Sequence, residues 1–99
     1  MSYQLLIRPE AESDITQAFD WYEARKPGLG FEFIGAVEEG LSTIQQNPLA
    51  FAKLHRDARR ILLKRFPYGI YFVFDAGIIS VLACFHAKRA PSGLKTRLP

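Results

Sequence analysis

Ninety-nine residues, 48% hydrophobic and 23% charged, suit one folded domain over residues 1–99 and leave no length for a second. The net charge of +3 is basic but not extreme, and Cys84, the only cysteine, excludes an internal disulfide and a cysteine-rich metal cluster. The longest mostly apolar run, Gly69 to Phe85, is broken by Asp75 and Gly77 and falls short of the ~20 apolar residues of a membrane span.

The chain opens with a strand-compatible run, Tyr3 to Arg8, within an N-terminal stretch from Met1 whose apolar run is too brief for a signal peptide. A cytoplasmic protein without membrane partners is expected. Pro9 stops the strand and suits the first turn of a helix, where its missing N–H is not needed. Ala11, Ile15, Phe19 and Tyr22, with Ala18 beside them, then recur at helical spacing, predicting an amphipathic helix over 10–25. Acidic Glu10, Glu12 and Asp14 lie in its first turns and Arg25 and Lys26 at its end, as the helix dipole favours.

Pro27-Gly28-Leu29-Gly30 breaks that helix. Phe31, Ile34, Val37, Leu41 and Ile44 alternate gaps of three and four and predict a second helix, closed at Asn47-Pro48. Gly35 and Gly40 each cost it roughly 1 kcal/mol relative to Ala, which close packing against the first helix would explain. The short linker makes the pair an antiparallel hairpin.

Beyond Lys53-Leu54 the pattern turns to strands: Arg59–Phe66, Ile70–Phe74 and Ile78–Phe85, with Asp75-Ala76-Gly77 as a tight hairpin turn. The fold class read from this order is α+β: an N-terminal strand, a helical hairpin, then an antiparallel β-sheet. The tail Ala90–Pro99 lacks an apolar face and is expected to be loose.

Strand alternation in the last strand places Ile79, Val81, Ala83 and Phe85 on one apolar face, expected to pack on the helices. Ile78, Ser80, Leu82, Cys84 and His86 fall on the other, expected to be open. The first half of the chain is net acidic. Most Lys and Arg lie from Lys53 onward, where Asp57 and Asp75 are the only acidic residues. A positive face for an anionic partner is therefore expected on the uncovered side of the sheet.

Two cationic groups could carry chemistry. His86-Ala87-Lys88-Arg89 ends the last strand; an imidazole can exchange protons while cations hold phosphate, although strand-end cations are also ordinary. Arg56, Arg59, Arg60, Lys64 and Arg65 could contact a phosphate backbone or simply protect an edge strand from pairing. Other patterns point away from chemistry. His55 and His86 without adjacent cysteines do not make a zinc site, and Cys84 in mid-strand reads as a small hydrophobe. Glu38 and Glu39 cannot face one another on a helix, and Pro27-Gly28-Leu29-Gly30 lacks the elements of a phosphate loop. Trp21 and Tyr22 read as hairpin core. No cofactor or metal is expected.

The run from Arg59 through Phe66-Pro67-Tyr68-Gly69 to Phe72 resembles the central hairpin of RelE/ParE toxins, and Ile79 to Arg89 resembles their last strand with its His-x-x-Arg ending. Pro9 to Ile15 with Trp21-Tyr22 resembles their first helix, and Asn47-Pro48 the close of their second, so the similarity spans nearly the whole chain. The resemblance implies the toxin of a type II toxin–antitoxin module, a plasmid stabilisation type of protein, held by a cognate antitoxin in a hetero-oligomer. RelE-like members cut messenger RNA in the ribosome; ParE-like members poison DNA gyrase. If the chain is RelE-like, its catalytic residues are Arg60, Lys64, Arg65, His86 and Arg89. It has no tyrosine after Phe85, and with the Phe-Pro-Tyr hairpin this favours a ParE-like gyrase inhibitor. The alternatives are a ribosome-dependent mRNA endonuclease and an inactive member that only binds antitoxin. An antitoxin segment is expected over the basic sheet face, beside exposed Leu62 and Leu82.

Overall fold

The computed structural model describes residues 3–89 and 91–99. Ala90, where the tail was expected to begin, and Met1 and Ser2 of the N-terminal stretch lie outside the described residues. The elements run β1 (Gln4–Ile7), α1 (Pro9–Arg25), α2 (Leu29–Gln46), β2 (Lys53–His55), β3 (Ala58–Leu62), β4 (Tyr68–Asp75) and β5 (Ile78–His86), with single 3₁₀ turns at Pro48–Ala50 and Pro91–Leu94. No helix among them is long and apolar enough to cross a membrane.

The five strands lie in the order β1-β5-β4-β3-β2. The neighbours from β2 to β5 pair antiparallel, as expected for the three later strands, while β2, which the sequence did not mark as a strand, adds a short edge. β1 instead lies parallel to β5, with Gln4 opposite Ile78 and Ile7 opposite Val81, so the sheet is mixed rather than a pure antiparallel meander. Hairpin connections determine how consecutive strands pair; a strand separated from the rest by two helices takes the edge where its apolar side chain can be buried. For β1 that edge lets Leu5 join the core under the helices.

α1 opens on Pro9 with Arg8 extended before it, and Glu10 and Glu12 occupy its first turn. Gly28, in the left-handed region at φ +90°, reverses the chain into α2. The Glu23 carboxylate caps that second helix, accepting hydrogen bonds from the Gly28 N–H (2.9 Å) and the Gly30 N–H (2.9 Å). An anion over the free N–H groups of a helix start is stabilising.

The buried stripe of α2 is Gly30, Phe33, Val37, Gly40 and Ile44. Phe31, the expected first member, is 67% exposed. Two stripes with the same spacing interleave here, and the sheet selects the one whose glycines permit close approach. A Cβ on Gly30 would come within 2.8 Å of the Phe19 ring and carbonyl, so this glycine is what lets α2 rest on α1. Gly40 faces β3 and β4 rather than α1, a Cβ there meeting Leu63 at 3.1 Å and Ile70 at 3.2 Å. Gly35 meets nothing within 4 Å.

Both helices cover one face of the sheet. Phe33, Phe66, Phe72, Ile70, Ile79 and Val81 are buried there, with Tyr22 and Tyr68 packed against them. The other face is not open. Leu94 in the C-terminal segment is fully buried against Ala58, Tyr71, Val73, Leu82, Ala83 and Phe85, with Leu98 beside it. The tail is thus a docked strap, contrary to its expected looseness; burying Leu94 alone supplies about 1.5–3 kcal/mol. Leu94 and Leu98 are four residues apart, but a single pair among Pro91, Gly93 and polar residues was too short a pattern to read as an apolar face.

A β-bulge in β5 explains a second departure. Tyr71 pairs with Ala83 but Phe72 with Val81, leaving Leu82 as an extra residue. Every side chain beyond it changes face. Ile79 and Val81 pack under the helices as expected, whereas Ala83 and Phe85 lie beneath the strap, and Cys84 turns to the helices. Leu82 is fully buried and offers no exposed docking residue.

The β4–β5 turn has both Ala76 (φ 53°) and Gly77 (φ 78°) in the left-handed region, as a two-residue turn matched to strand twist requires. Gly35→Ala should stabilise the protein by about 1 kcal/mol and raise its melting temperature by ~4–8 °C. Gly30→Ala should lower it despite the same gain in helix propensity; thermal denaturation of both variants checks the contrast.

Candidate functional site

β1 ends opposite Val81, so β5 has no strand on that side from Leu82 onward. Two side chains take over the exposed backbone edge. Asp14 of α1 accepts a hydrogen bond from the Cys84 N–H at 3.0 Å, and Arg97 of the strap donates to the Leu82 carbonyl at 3.2 Å. The two pair with each other, Arg97 Nη1 to Asp14 Oδ2 at 2.5 Å and Nη2 to Oδ1 at 3.3 Å. With side chains only 11% and 18% exposed, this is the most buried ion pair among the described residues. Arg97 also lies 4.8 Å from the centre of the Phe85 ring. Helix, sheet and strap meet at this one clasp.

Sequence reasoning missed both partners, having read Asp14 as a helix-start charge and Arg97 as part of a loose tail. A signal was present for Asp14: it sits three residues after Ala11 and four before Ala18, on the buried seam of α1. Nothing local marked Arg97.

Beside the clasp, a cleft of about 590 Å³ opens between α1 and the end of β5, lined by Asp14, Gln17, Ala18, Trp21, Tyr22, Pro67, Tyr68, Cys84, Phe85, His86 and Arg89. The bulge puts His86 here, on the helix side. Its Nδ1 accepts the Lys88 N–H at 3.1 Å, and its ring stands edge-on to Tyr68 at 5.3 Å. The Ala87 N–H, bonded to the Pro67 carbonyl at 2.7 Å, ties this strand end to the start of β4. Arg89 lays its guanidinium 4.0 Å over Phe85. Trp21, expected in the core, is 53% exposed at the cleft, with Arg25 stacked 4.3 Å from its ring centre. Tyr22 does pack in the core, edge-on to Phe66.

The remaining cations lie elsewhere. Arg60 sits on the strap side, 6.0 Å over Tyr71, its register partner on β4. β3 ends at Leu62, and Arg65 takes φ 71°, so strand alternation no longer governs the residues that follow. Leu63 and Phe66 both turn into the helix-side core. Lys64 pairs with Glu39 at 3.0 Å and Arg65 with Glu32 at 2.6 Å, both exposed contacts to α2. Surface pairs of this kind contribute ~0–1 kcal/mol, but they direct both cations toward the helix. His86 and Arg89 therefore share the cleft, while Arg60, Lys64 and Arg65 do not line it. The single positive floor expected on an uncovered sheet face does not form.

Burial, and secondarily the Asp14 carboxylate, pushes the Cys84 thiol up to about 12 from its ordinary 9.0. Burial also raises Tyr22 and Tyr68, each reinforced by a neighbouring ionisable group, Tyr68 for the former and Cys84 for the latter. Cys84 is thus a protonated, inert core residue.

A profile of the family described as "ParE toxin of type II toxin-antitoxin system, parDE" matches residues 5–91. The chain belongs to the ParE toxin family. Toxin ParE2 of Mycobacterium tuberculosis (strain CDC 1551 / Oshkosh) is 28% identical over 102 residues, covering 99% of this chain and 94% of the relative. Among solved structures, the chromosomal ParDE toxin–antitoxin system of P. aeruginosa superposes with a TM-score of 0.76 at 19% identity, over 86% of this ParE-family chain and 96% of that one. The RelBE2 toxin–antitoxin complex of M. tuberculosis follows at 0.61 and 16% identity, over 87% and 99% of the two chains. An arginine-substituted E. coli RelE in the free state reaches 0.57 at 16%, over 98% and 94%. These likenesses establish the α+β toxin fold.

Two outcomes follow from the site. Asp14→Ala should cost roughly 2–4 kcal/mol, because it leaves Arg97 and the Cys84 N–H without their partner in a largely buried place. A double-mutant cycle with Arg97→Met should give a coupling above about 1 kcal/mol. For Cys84, the unfolded thiol loses its proton near pH 9.0 and the folded one near 12, so its contribution to stability is complete below pH 9 and is lost as pH rises toward 12. Melting temperature should fall across that window, less steeply in Cys84→Ala. At neutral pH a thiol reagent should label the denatured chain and spare the folded one.

Proposed function

We propose that this chain is a ParE-like toxin that inhibits DNA gyrase without cutting RNA, and that a cognate antitoxin neutralises it in a toxin–antitoxin hetero-oligomer. It acts as one domain over residues 1–99, in the cytoplasm. The observation that carries this reading is the separation of the cations. An RNA-cleaving site built from Arg60, Lys64, Arg65, His86 and Arg89 would need the acid–base group and the cations to converge on one phosphate. Here His86 and Arg89 line the cleft, Arg60 lies outside it, 6.0 Å over Tyr71, the strap-side ring next to the Phe85 that carries Arg89, and Lys64 and Arg65 are paired to α2. Membership of the ParE family supports the same side, and the ParDE system of P. aeruginosa pairs such a toxin with its partner. The exposed apolar residues Phe31 and Leu62, on α2 and β3, are available to a second protein.

Tight induction without antitoxin, with translation and DNA supercoiling measured separately, tests the proposal. Cells should filament and show DNA damage while protein synthesis continues, and the purified protein should inhibit gyrase supercoiling. His86→Ala and Arg89→Ala should leave that inhibition within about twofold. Ribosome-dependent mRNA cleavage that these two substitutions abolish would overturn the reading, as would normal growth on induction.

A further inference from the structure

The cleft beside the clasp has features to which the proposed function assigns no role. Its wall is a continuous row of rings: Trp21 is edge-on to Tyr22 at 5.1 Å, Tyr22 to Tyr68 at 6.1 Å, and Tyr68 to His86 at 5.3 Å. The Trp21 indole is half exposed, with Arg25 stacked 4.3 Å from its ring centre, so a planar group meets the indole surface that Arg25 leaves uncovered. At the other end stand two groups suited to an anion. Because the His86 Nδ1 accepts the Lys88 N–H, the neutral ring carries its proton on Nε2, as a donor. Among the described residues no carboxylate pairs with Arg89, whose guanidinium is positioned on Phe85. Asp14, the acidic residue of the lining, is already neutralised by Arg97. The cleft therefore presents the Arg89 cation and the His86 donor at one end and π-faces toward the other, where Arg25 stacks on Trp21. Its volume of about 590 Å³ is within the ~300–1,000 Å³ of small-molecule sites.

We propose that this cleft binds a nucleoside phosphate, its base stacked on the Trp21 side and its phosphate held by His86 and Arg89. Stacking accepts any base, because every base has a π-face, so selectivity lies in the phosphate. Charge-assisted hydrogen bonds from a guanidinium and an imidazole provide it. The chemistry is shared by a free nucleotide and by the 5′-phosphorylated end of a strand. Binding alone is proposed; no bond is made or broken.

Trp21 is the only tryptophan, so its fluorescence reports on this cleft directly. The intact protein is titrated with a nucleoside 5′-monophosphate, the matching nucleoside, inorganic phosphate and a short 5′-phosphorylated oligonucleotide, with excitation at the red edge of the indole band. The monophosphate should give saturable quenching, and the nucleoside should bind about tenfold more weakly or worse. His86→Gln and Arg89→Gln should each weaken monophosphate binding about tenfold, the loss of one charge-assisted contact. Arg89→Lys should recover part of it, with melting temperatures verifying that each variant is folded. Lys53→Gln, an equal loss of charge on β2, should change nothing. Tighter binding of the oligonucleotide than of the monophosphate assigns the site to strand ends, and equal or weaker binding to free nucleotides. No saturable quenching by either phosphorylated ligand, equal binding of the nucleoside, or an equal loss in Lys53→Gln overturns the proposal. Calorimetry of the same titrations gives a readout independent of gyrase, so this result and the toxin assay can fail separately.

Discussion

The Asp14–Arg97 ion pair joins three parts of the molecule that sequence keeps far apart. β1 leaves the sheet after Ile7, and beyond that point β5 would present an unpaired backbone edge next to a bulge. A buried edge of unpaired N–H and C=O groups is costly. Asp14 takes the Cys84 N–H and Arg97 takes the Leu82 carbonyl, and their mutual attraction offsets the desolvation of each charge. The strap is thereby tied to the helix across the edge of the sheet, with Leu94 packed behind it.

The bulge and the clasp together make the cleft. The extra residue at Leu82 sends Phe85 to the strap side and His86 to the helix side, opposite what unbroken alternation requires. Phe85 then serves as a platform for both Arg89 and Arg97, one open to the cleft and one committed to Asp14. A single inserted residue thus decides which side chains reach the functional surface. It also explains how a basic chain avoids one continuous positive face: the strap covers the sheet, and the cations after β3 pair with α2.

Much of the architecture was legible because local chemistry repeats. Pro9, the Gly28 break and Asn47-Pro48 delimit two helices with apolar residues at helical spacing, and Asp75-Ala76-Gly77 forces a hairpin between two strands. The Phe66-Pro67-Tyr68 segment and the His-x-x-Arg ending carried the family resemblance. Less was legible in the site. His86 and Arg89 do share a cleft, but Arg60, Lys64 and Arg65 were grouped with them by sequence proximity and sign of charge, which do not specify the face or the partner. The choice between Phe31 and Phe33 was invisible as well, since both lie on stripes of equal spacing and only contact with α1 and the sheet separates them.

By itself the sequence determined the two helices, every strand but the short β2, the β4–β5 turn and the toxin family, because these are written in local residue patterns. The tertiary structure alone decided that β1 joins β5 in parallel, that Leu82 is extruded as a bulge, and that the tail closes over the second face. Those outcomes depend on pairings such as Asp14 with Arg97, 83 residues apart, whose strength comes from a low-dielectric environment that exists only once helix, sheet and strap have come together.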